Sequence, residues 1–365
     1  MNNRKIGIVT FHRAANFGAM LQSFALKKSL QALGYNSTEI IDYRSPSIEN
    51  IYKYHWSYCY KRASVSLRGI VKIIGKLGYV YILKRRLKNF RRFEKKYLTP
   101  SPNPFTDYDV IVFGSDQIWN VGITQNDDTY FGDIGTDKVK KISYAASLGH
   151  GDVATFKSKA RLLKTFSAIG VRETQLGPVL SEIGIDSFPC LDPTLLLQCD
   201  KWLKYLRIPQ NTKEKKEILL IYCIRDKERV LNAVRPIAVE SGMDIVILEA
   251  SETLNVHGFS KRASYYAPRE FVRCFSEARF VVTDSFHGTV FSIIFHKPFV
   301  SCCLGDGRDG RAESLLSQIG LNGRLQNPED ISISSFTDID FIPSDEKLDS
   351  LRKKSIEFLS EAVID

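Results

Sequence analysis

The sequence predicts an α/β protein made of two Rossmann-like, doubly wound domains that face a cleft. Short apolar runs rich in β-branched residues alternate with segments of helical periodicity, which is the pattern of parallel strands joined by helices. A polar linker, IPQNTKEKKE, ends this alternation near residue 208, and a second alternation follows it. The 365 residues, of which 44% are hydrophobic and 25% charged, suffice for two domains. We therefore divide the chain into residues 1–208 and 209–365.

The first domain opens with a predicted strand in KIGIVTF, a helix that Gly34 ends, and a second strand in STEIIDY. The turn after the first strand has one usefully placed glycine, Gly18, and so lacks the GxGxxG signature of dinucleotide-binding proteins. We therefore expect no nicotinamide or flavin cofactor. The alternation continues through the strands DVIVFG, KISYAASLG and AIGVRE, with a helix at about 152–166.

The second domain repeats the pattern with four strand-like runs, EILLIYCI, DIVILEA, RFVVTDS and PFVSCCL. Helices are predicted around four segments: 226–241, 268–278, 286–296 and 310–319. A final amphipathic helix, from Asp345 to about Ala362, can cross back onto the first domain. Two such units with a cleft between them are typical of transferases that bring a donor and an acceptor together.

A basic helical insertion interrupts the first domain at about 47–98. Residues 53–96 hold fourteen Lys and Arg and one acid, Glu94, a local excess of 13 that leaves the rest of the +10 chain at −3. This distribution predicts contact with one anionic surface and no nucleic-acid partner. A basic amphipathic pair of helices can lie at an anionic membrane. The alternative is an insertion that packs its apolar face on the domain and solvates its charges.

The remaining composition limits the class of protein. The chain has no uncharged apolar run of about eighteen residues, as a membrane-spanning helix needs, and MNNRKIGIVTF passes into a strand without a signal-peptide pattern. We therefore expect a cytoplasmic protein. Seven cysteines without a CxxC pair predict neither a disulfide framework nor a zinc site, and we expect no metal.

The turn TDSFHG joins the strand-like run RFVV to the helical run TVFSIIF and is a candidate anion site. Unpaired N–H groups and the positive end of the helix dipole favour an anion at such a helix start. His287 could exchange a proton with a ligand bound there. The alternative is that Asp284 or Ser285 caps the helix and that His287 is a surface residue.

The loop GSDQIWN, residues 114–120, follows another predicted strand, where open α/β sheets bind ligands. The flat ring of Trp119, with the carboxylate and amides around it, suits a sugar. A Trp packed in the core is the alternative.

Six motifs together resemble the polysaccharide pyruvyl transferase family. They are NFGAMLQSFAL at 16–26, GSDQIWN at 114–120, SYAASLG at 143–149, GVRE at 170–173, LDPTLLL at 191–197 and TDSFHGTVFSIIF at 283–295. The resemblance implies a fold like that of the two-domain GT-B glycosyltransferases. It also implies transfer of the enolpyruvyl unit of phosphoenolpyruvate to sugar hydroxyls, most often as a cyclic ketal, without a metal or an organic cofactor.

The resemblance also implies roles for individual residues. His287 matches the family's histidine, the candidate acid and base, and Arg172 matches its donor-site arginine. Some ketal-forming relatives carry an arginine where this chain has Ser285, and the candidates to compensate for that missing charge are Arg172, Arg311 and Lys297. The donor-binding candidates are Arg172, Ser285, Gly288, Thr289 and Arg311, the last with a surface arginine as its alternative. The acceptor-binding candidates are Asn16, Asp116, Gln117, Trp119 and Asn120.

The sequence thus predicts an enzyme that pyruvylates a sugar in cell-surface polysaccharide assembly, on a lipid-linked precursor at the inner face of the cytoplasmic membrane. That location would explain the basic segment 53–96. One alternative is an enzyme of the same architecture with a nucleotide-sugar donor. Another, favoured only by the charge, is a non-catalytic protein that binds anions or nucleic acid.

Overall fold

The computed structural model describes residues 4–52, 67–209, 217–249 and 266–364, with the backbone alone at 67–79. The first part of the predicted basic segment, 53–66, lies outside the described residues. None of the helices within these ranges combines the length and the apolar character that crossing a bilayer requires.

The first half of the chain forms a parallel sheet of six strands in the order β2-β1-β3-β4-β5-β6. Its strands are β1 Ile6–Val9, β2 Thr38–Ile40, β3 Val110–Phe113, β4 Lys140–Ala146, β5 Ala168–Val171 and β6 Phe188–Pro189. The helices of this half are α1 Phe17–Ala32, α2 Pro46–Ile51, α3 Leu67–Phe93, α4 Val121–Thr124, α5 Val153–Ser158, α6 Ala160–Leu163, α7 Leu176–Ser181 and α8 Cys199–Leu206. The predicted helix at 152–166 is thus two short helices, because the backbone leaves the helical conformation at Lys159.

The second half forms a parallel sheet of five strands in the order β11-β10-β9-β7-β8. Its strands are β7 Ile218–Cys223, β8 Asp244–Glu249, β9 Phe280–Thr283, β10 Phe299–Cys302 and β11 Leu325–Gln326. Its helices are α9 Lys227–Ser241, α10 Pro268–Glu277, α11 Phe286–Ile294, α12 Gly310–Ile319 and α13 Ile342–Ile364. The predicted fold class, two α/β units with parallel sheets, is confirmed.

The two halves share a hydrophobic core. The ring of Phe17, at the start of α1, stacks on Phe271 of α10 with centroids 4.7 Å apart. Trp202 of α8 meets Phe291 of α11 edge to face at 5.1 Å. These buried rings hold α1 against α10 and α8 against α11, so helices of the first half pack directly on helices of the second.

From residue 67 onwards, the basic insertion is one helix where the sequence suggested a pair. α3 runs without a break to Phe93, and a π-helical turn, Glu94–Leu98, continues it. Phe90 and Phe93 are buried against the body, and the guanidinium of Arg86 lies over the rings of Phe17 and Phe90 at 5.0 and 5.3 Å. The C-terminal part of α3 therefore packs on the domain, and the charged face predicted before residue 80 lies outside the described side chains.

The last helix, α13, lies on the first half of the protein. The Leu191 N–H donates to Ser355 Oγ at 3.0 Å, and Arg352 Nε donates to the Leu195 carbonyl at 2.8 Å. The rings of Phe358 and Phe188 stack with centroids 5.1 Å apart and an interplanar angle of 5°. α13 thus covers the segment that follows β6 and joins the two halves a second time.

Candidate functional site

The turn between β9 and α11 is fixed by hydrogen bonds to neighbouring strands. Asp284 accepts from the N–H groups of Ile224 and Arg225 at 2.7 and 2.9 Å, which ties the turn to the end of β7. Thr283 Oγ1 accepts from the Ser285 N–H at 3.1 Å and donates to the Tyr222 carbonyl at 2.6 Å. Ser285 is buried and its side chain makes no capping bond to α11. Asp284 therefore has a structural role, and His287 is held rigidly.

Two of the predicted donor-binding residues, Gly288 and Thr289, contribute to the structure of this turn. A side chain at Gly288 would collide with Thr283, because its Cβ would lie 2.0 Å from Thr283 Oγ1. The Thr289 N–H donates to the Ser285 carbonyl at 3.0 Å, and Thr289 Oγ1 bonds Ser301 Oγ at 2.8 Å. The Thr289 amide is therefore already used within the helix, so an anion at this site needs other donors.

His287 is buried, with 7% of its surface exposed, and the alternative of a surface histidine is wrong. Its Nε2 lies 3.6 Å from Asp192 Oδ2 and has no hydrogen-bond partner. On the opposite side, Gly18 of α1 packs against the ring so closely that an added Cβ would lie 2.0 Å from Nδ1. The histidine thus bridges the two halves of the protein.

Arg172 follows β5 and lies in the same cluster with only 3% of its side chain exposed. Its NH1 donates to Asp192 Oδ2 at 2.9 Å, and Asp116 and Glu173 each approach it to 3.7 Å. Burial opposes its charge, but these three carboxylates raise the pKa of Arg172 above its ordinary value. Its Nε and NH2 are buried without a partner. The side chain therefore keeps donors free for an anionic ligand.

Asp192 connects the arginine and the histidine, a role that sequence reasoning missed. Its side chain is fully buried, and Oδ1 accepts from the Thr194 N–H and hydroxyl at 3.0 and 2.6 Å. Burial alone would raise the pKa of Asp192. The neighbouring His287, the charge of Arg172 and the hydrogen bonds from Thr194 outweigh it and hold that pKa well below its ordinary value. The carboxylate is therefore ionised at neutral pH.

Arg311, in the first turn of α12, completes the cluster. Its two terminal nitrogens lie 2.9 and 3.1 Å from the amide oxygen of Gln117, with that amide oriented to accept. The Phe286 ring lies between the guanidinium groups of Arg172 and Arg311, at 5.0 and 5.7 Å from its centroid. Burial, with the charge of Arg172, lowers the pKa of Arg311 to about 10, so it stays charged at neutral pH. Arg311 is therefore not a free surface arginine, which was the alternative interpretation.

Three cavities meet at Arg311. The arginine cavity, about 200 Å³, is lined by Arg172, Asp192, Phe286, Arg311, Ser314 and Lys354 among others. The histidine cavity, about 130 Å³, includes Asn16, Asp116, Gln117, Ser285, Phe286, His287 and Arg311 in its lining. The glycine-loop cavity, about 280 Å³, has His150, Glu173, Arg308, Gly310 and Arg311 in its lining. Arg311 and Phe286 thus separate a cationic space from one that contains the histidine.

The structure brings together three of the predicted acceptor-binding residues, Asn16, Asp116 and Gln117, in the histidine cavity. Trp119 is fully buried, and its Nε1 donates to the Tyr130 carbonyl at 3.1 Å, so it offers no ring face to a ligand. Trp119 is therefore a core tryptophan, as the alternative interpretation of the sequence holds. Asn120 is buried as the cap of α4, where its Oδ1 accepts from the Gly122 N–H at 3.1 Å. Lys297 lies beyond α11, and none of the three cavities includes it.

A group of possible metal ligands lies outside this site and consists of His12, Asp42 and Glu94. One nitrogen or oxygen atom of each residue lies within 4.8 Å of those of the other two. Arg13 NH1 approaches Asp42 and Glu94 to 3.6 and 3.1 Å. Both ring nitrogens of His12 face acceptors, the Thr10 carbonyl and Asp42, at 3.2 Å. Because a guanidinium and the imidazole already satisfy these carboxylates, the group is an ion-pair network rather than a metal centre.

Comparison with known proteins identifies a family and a fold. The model of a family described as polysaccharide pyruvyl transferase matches residues 16–303. UDP-N-acetylglucosamine 2-epimerase from Rickettsia bellii is similar with a TM-score of 0.51 and 11% identity over 98% of this chain and 96% of that one. UDP-GlcNAc 2-epimerase from Methanocaldococcus jannaschii is similar with a TM-score of 0.50 and 13% identity over 91% and 90%. At such identity the likeness shows the fold alone, which is GT-B-like. No curated protein matches the chain.

Proposed function

We propose that this chain, which belongs to the polysaccharide pyruvyl transferase family and is a transferase, moves the enolpyruvyl unit of phosphoenolpyruvate onto a sugar. The observation that carries the proposal is the cluster of buried Arg172 and His287 with half-buried Arg311 where the two halves meet. A small donor with a carboxylate and a phosphate needs cations on more than one side, and a reaction at its methylene carbon needs a proton donor. The cluster offers both within one cleft.

The donor binds through the two arginines. The unpartnered Nε and NH2 of Arg172 suit a carboxylate or phosphate, since a guanidinium binds either through two parallel hydrogen bonds. Arg311 lines both the arginine and the histidine cavities and approaches the donor from the second half of the protein. Its charge takes the place of the arginine that some relatives carry at the position of Ser285. Ser285, which is uncharged and buried, leaves room beside Phe286.

The reaction uses His287 as acid and then as base. Protonated His287 gives its proton to the methylene carbon of phosphoenolpyruvate while an acceptor hydroxyl attacks the neighbouring carbon. The hydroxyl proton passes to the histidine. Attack by a second hydroxyl of the same sugar expels phosphate from that carbon and closes a cyclic ketal, and the departing phosphate takes up the proton of that hydroxyl. Two carbon–oxygen bonds form, the ester carbon–oxygen bond to phosphate breaks, and the histidine ends the cycle protonated.

The acceptor occupies the histidine cavity, where Asn16, Asp116 and Gln117 provide amide and carboxylate groups for its hydroxyls. The polymer precursor is lipid-linked, and the enzyme meets it at the inner face of the cytoplasmic membrane. The excess of 13 positive charges in residues 53–96 supports contact with an anionic lipid surface.

Two substitutions test the donor and the chemistry separately. His287→Ala should abolish phosphate release from phosphoenolpyruvate, while calorimetry still detects donor binding. Arg172→Ala should lose that binding. Arg229→Ala is the matched control, because Arg229 pairs with Glu329 on the surface away from the cleft. Ordinary turnover in His287→Ala would show that the mechanism is wrong.

A donor screen tests the substrate class. Purified protein is incubated with a panel of lipid-linked saccharides and either phosphoenolpyruvate or nucleotide sugars. Acceptor-dependent release of phosphate from phosphoenolpyruvate is the expected result. Consumption of a nucleotide sugar, with phosphoenolpyruvate untouched, would replace the proposal by a glycosyltransferase of the same architecture.

A further inference from the structure

We infer that Asp192 fixes the proton of neutral His287 on Nε2 and so makes Nδ1 the ring atom that exchanges a proton with the substrate. The inference rests on the proposed function and adds to it a positioning residue and a named atom. Both carboxylate oxygens of Asp192 face residues of the protein, so we assign it an action through His287 rather than on the substrate.

The partners of Asp192 fix its orientation. Both donors of Thr194 bond Oδ1, and Arg172 NH1 donates to Oδ2 at 2.9 Å. Oδ2 therefore keeps one direction for a further donor, and His287 Nε2 lies there at 3.6 Å. Hydrogen bonds of catalytic groups are often long before substrate binds, and this separation is of that kind. Because an ionised carboxylate only accepts, it favours the form of the ring that carries hydrogen on Nε2.

The surroundings of His287 place the Asp192 carboxylate opposite Nε2. This nitrogen is buried and has no hydrogen-bond partner, and Asp192 is the carboxylate that faces it. The charged groups around the pair are Arg172, Asp116 and Glu173 on the first half and Arg311 on α12. α1 contributes Gly18 beside the ring and the uncharged amide of Asn16 in the same cavity.

Nδ1 lies on the opposite side of the ring, against the first turn of α1. Gly18 has ordinary helical backbone there, so the backbone does not require a glycine. What requires it is the ring, since a Cβ would lie 2.0 Å from Nδ1. The same turn provides Asn16 and Ala19 to the histidine cavity. The ring of His287 can therefore lie against α1 only because residue 18 has no side chain, and in this position the histidine lines the cavity where the acceptor is proposed to bind.

This arrangement gives each ring nitrogen one task. With the proton of the neutral ring held at Nε2, the lone pair of Nδ1 is free to take a proton from a hydroxyl. In the imidazolium, the Nδ1 proton is the one available to the methylene carbon. The imidazolium is the form that starts the reaction.

Nuclear magnetic resonance of ¹⁵N-histidine protein tests the inference without any turnover. His287→Gln identifies the resonances of His287 by their loss. In the unsubstituted protein, the neutral ring should show hydrogen on Nε2. In Asp192→Asn, the single tautomer should be lost, because an amide at this position can donate to the ring as well as accept from it. Asp200→Asn, on the exposed start of α8, is the control and should keep the tautomer. An unchanged tautomer in Asp192→Asn would overturn the inference.

Kinetics of Asp192→Asn and Gly18→Ala give the second readout. Asp192→Asn should lower kcat, because the ring no longer keeps one tautomer. Gly18→Ala should lower kcat about 100-fold with little change in donor binding, because the methyl group displaces the ring of His287 and its Nδ1 with it. Unchanged kcat in Gly18→Ala would contradict the role of Nδ1. If the unsubstituted protein never consumes phosphoenolpyruvate, the proposed function is wrong. The resonance experiment still decides whether Asp192 pairs with Nε2 of His287.

Discussion

Arg172 and Arg311 flank the same ring, but their surroundings differ in charge. Three carboxylates surround Arg172: Asp192 at 2.9 Å, and Asp116 and Glu173 at 3.7 Å. Arg311 bonds the neutral amide of Gln117, and burial, followed by the charge of Arg172, lowers its pKa although the same three carboxylates act in the opposite direction. Arg172 is therefore needed to balance buried acids, whereas Arg311 forms no ion pair with an acid among the described residues and keeps its charge for a bound anion.

This difference predicts opposite effects of two similar substitutions. Arg311→Gln should abolish or greatly weaken binding of phosphoenolpyruvate and leave the free energy of unfolding unchanged or slightly higher. Arg172→Gln should also lose binding, but it should lower the free energy of unfolding by about 3 to 5 kcal/mol, because it leaves buried carboxylates without a cation. Urea denaturation and calorimetry measure the two quantities. Equal destabilisation by both substitutions would contradict this account of the cluster.

The sequence predicts some site residues better than others for a physical reason. His287 and Arg172 each follow a strand at the edge where parallel sheets bind ligands, so their positions along the chain indicate their place. Asp192 precedes Pro193 and therefore has the pattern of a turn. Its partnership with His287 depends on how the two halves pack, which a local pattern does not contain. The sequence around Trp119 is compatible with a surface tryptophan and with a core tryptophan. Only the structure, in which its side chain is buried, distinguishes the two.

Predicted and observed secondary structure agree best where an element is long and its hydrophobic pattern is regular. The helices α9, α10 and α12 begin and end within one residue of the predicted bounds. β6 and β11 have two residues each, too few to show periodicity, and they exist because a neighbouring strand pairs with them. α3 is one helix although three glycines weaken its first half, because from Val80 onwards its apolar side packs on the core.

α13 contributes to the site although it lies beyond the residues that the family model matches. Lys354 on this helix lines the arginine cavity together with Arg172 and Arg311, at an exposed position. We predict that Lys354→Ala raises the KM for phosphoenolpyruvate about two- to fivefold and leaves kcat unchanged, since an exposed charge pair contributes about 1 kcal/mol or less. The effect should shrink as salt concentration rises.

The control for this prediction is the neighbouring residue on the same helix. Lys353 is 79% exposed, approaches Glu357 at 3.9 Å and lies outside the three cavities. Lys353→Ala removes the same charge from the protein without removing it from the cavity. A rise in KM of equal size in both variants would assign the effect to net charge and not to Lys354.

At the scale of the whole molecule, the site exists only while the two halves are packed together. Arg172, Asp192 and Gly18 come from the first half, and His287 and Arg311 come from the second. The shared aromatic core and α13 hold the halves in contact, as the stacking of Phe358 on Phe188 illustrates. A donor that bridges the arginines should therefore stabilise both halves together.

Hydrogen exchange should show this coupling. Phosphoenolpyruvate at about 100 times its Kd should add roughly 2.7 kcal/mol to the free energy of unfolding. Amide protection should rise both in β5, next to Arg172, and in α12, which carries Arg311. In Arg311→Gln, the same donor concentration should give neither effect, because the contact with the second half is lost. Protection confined to one half would mean that the donor binds one domain alone, and the bridging role of Arg311 would then be wrong.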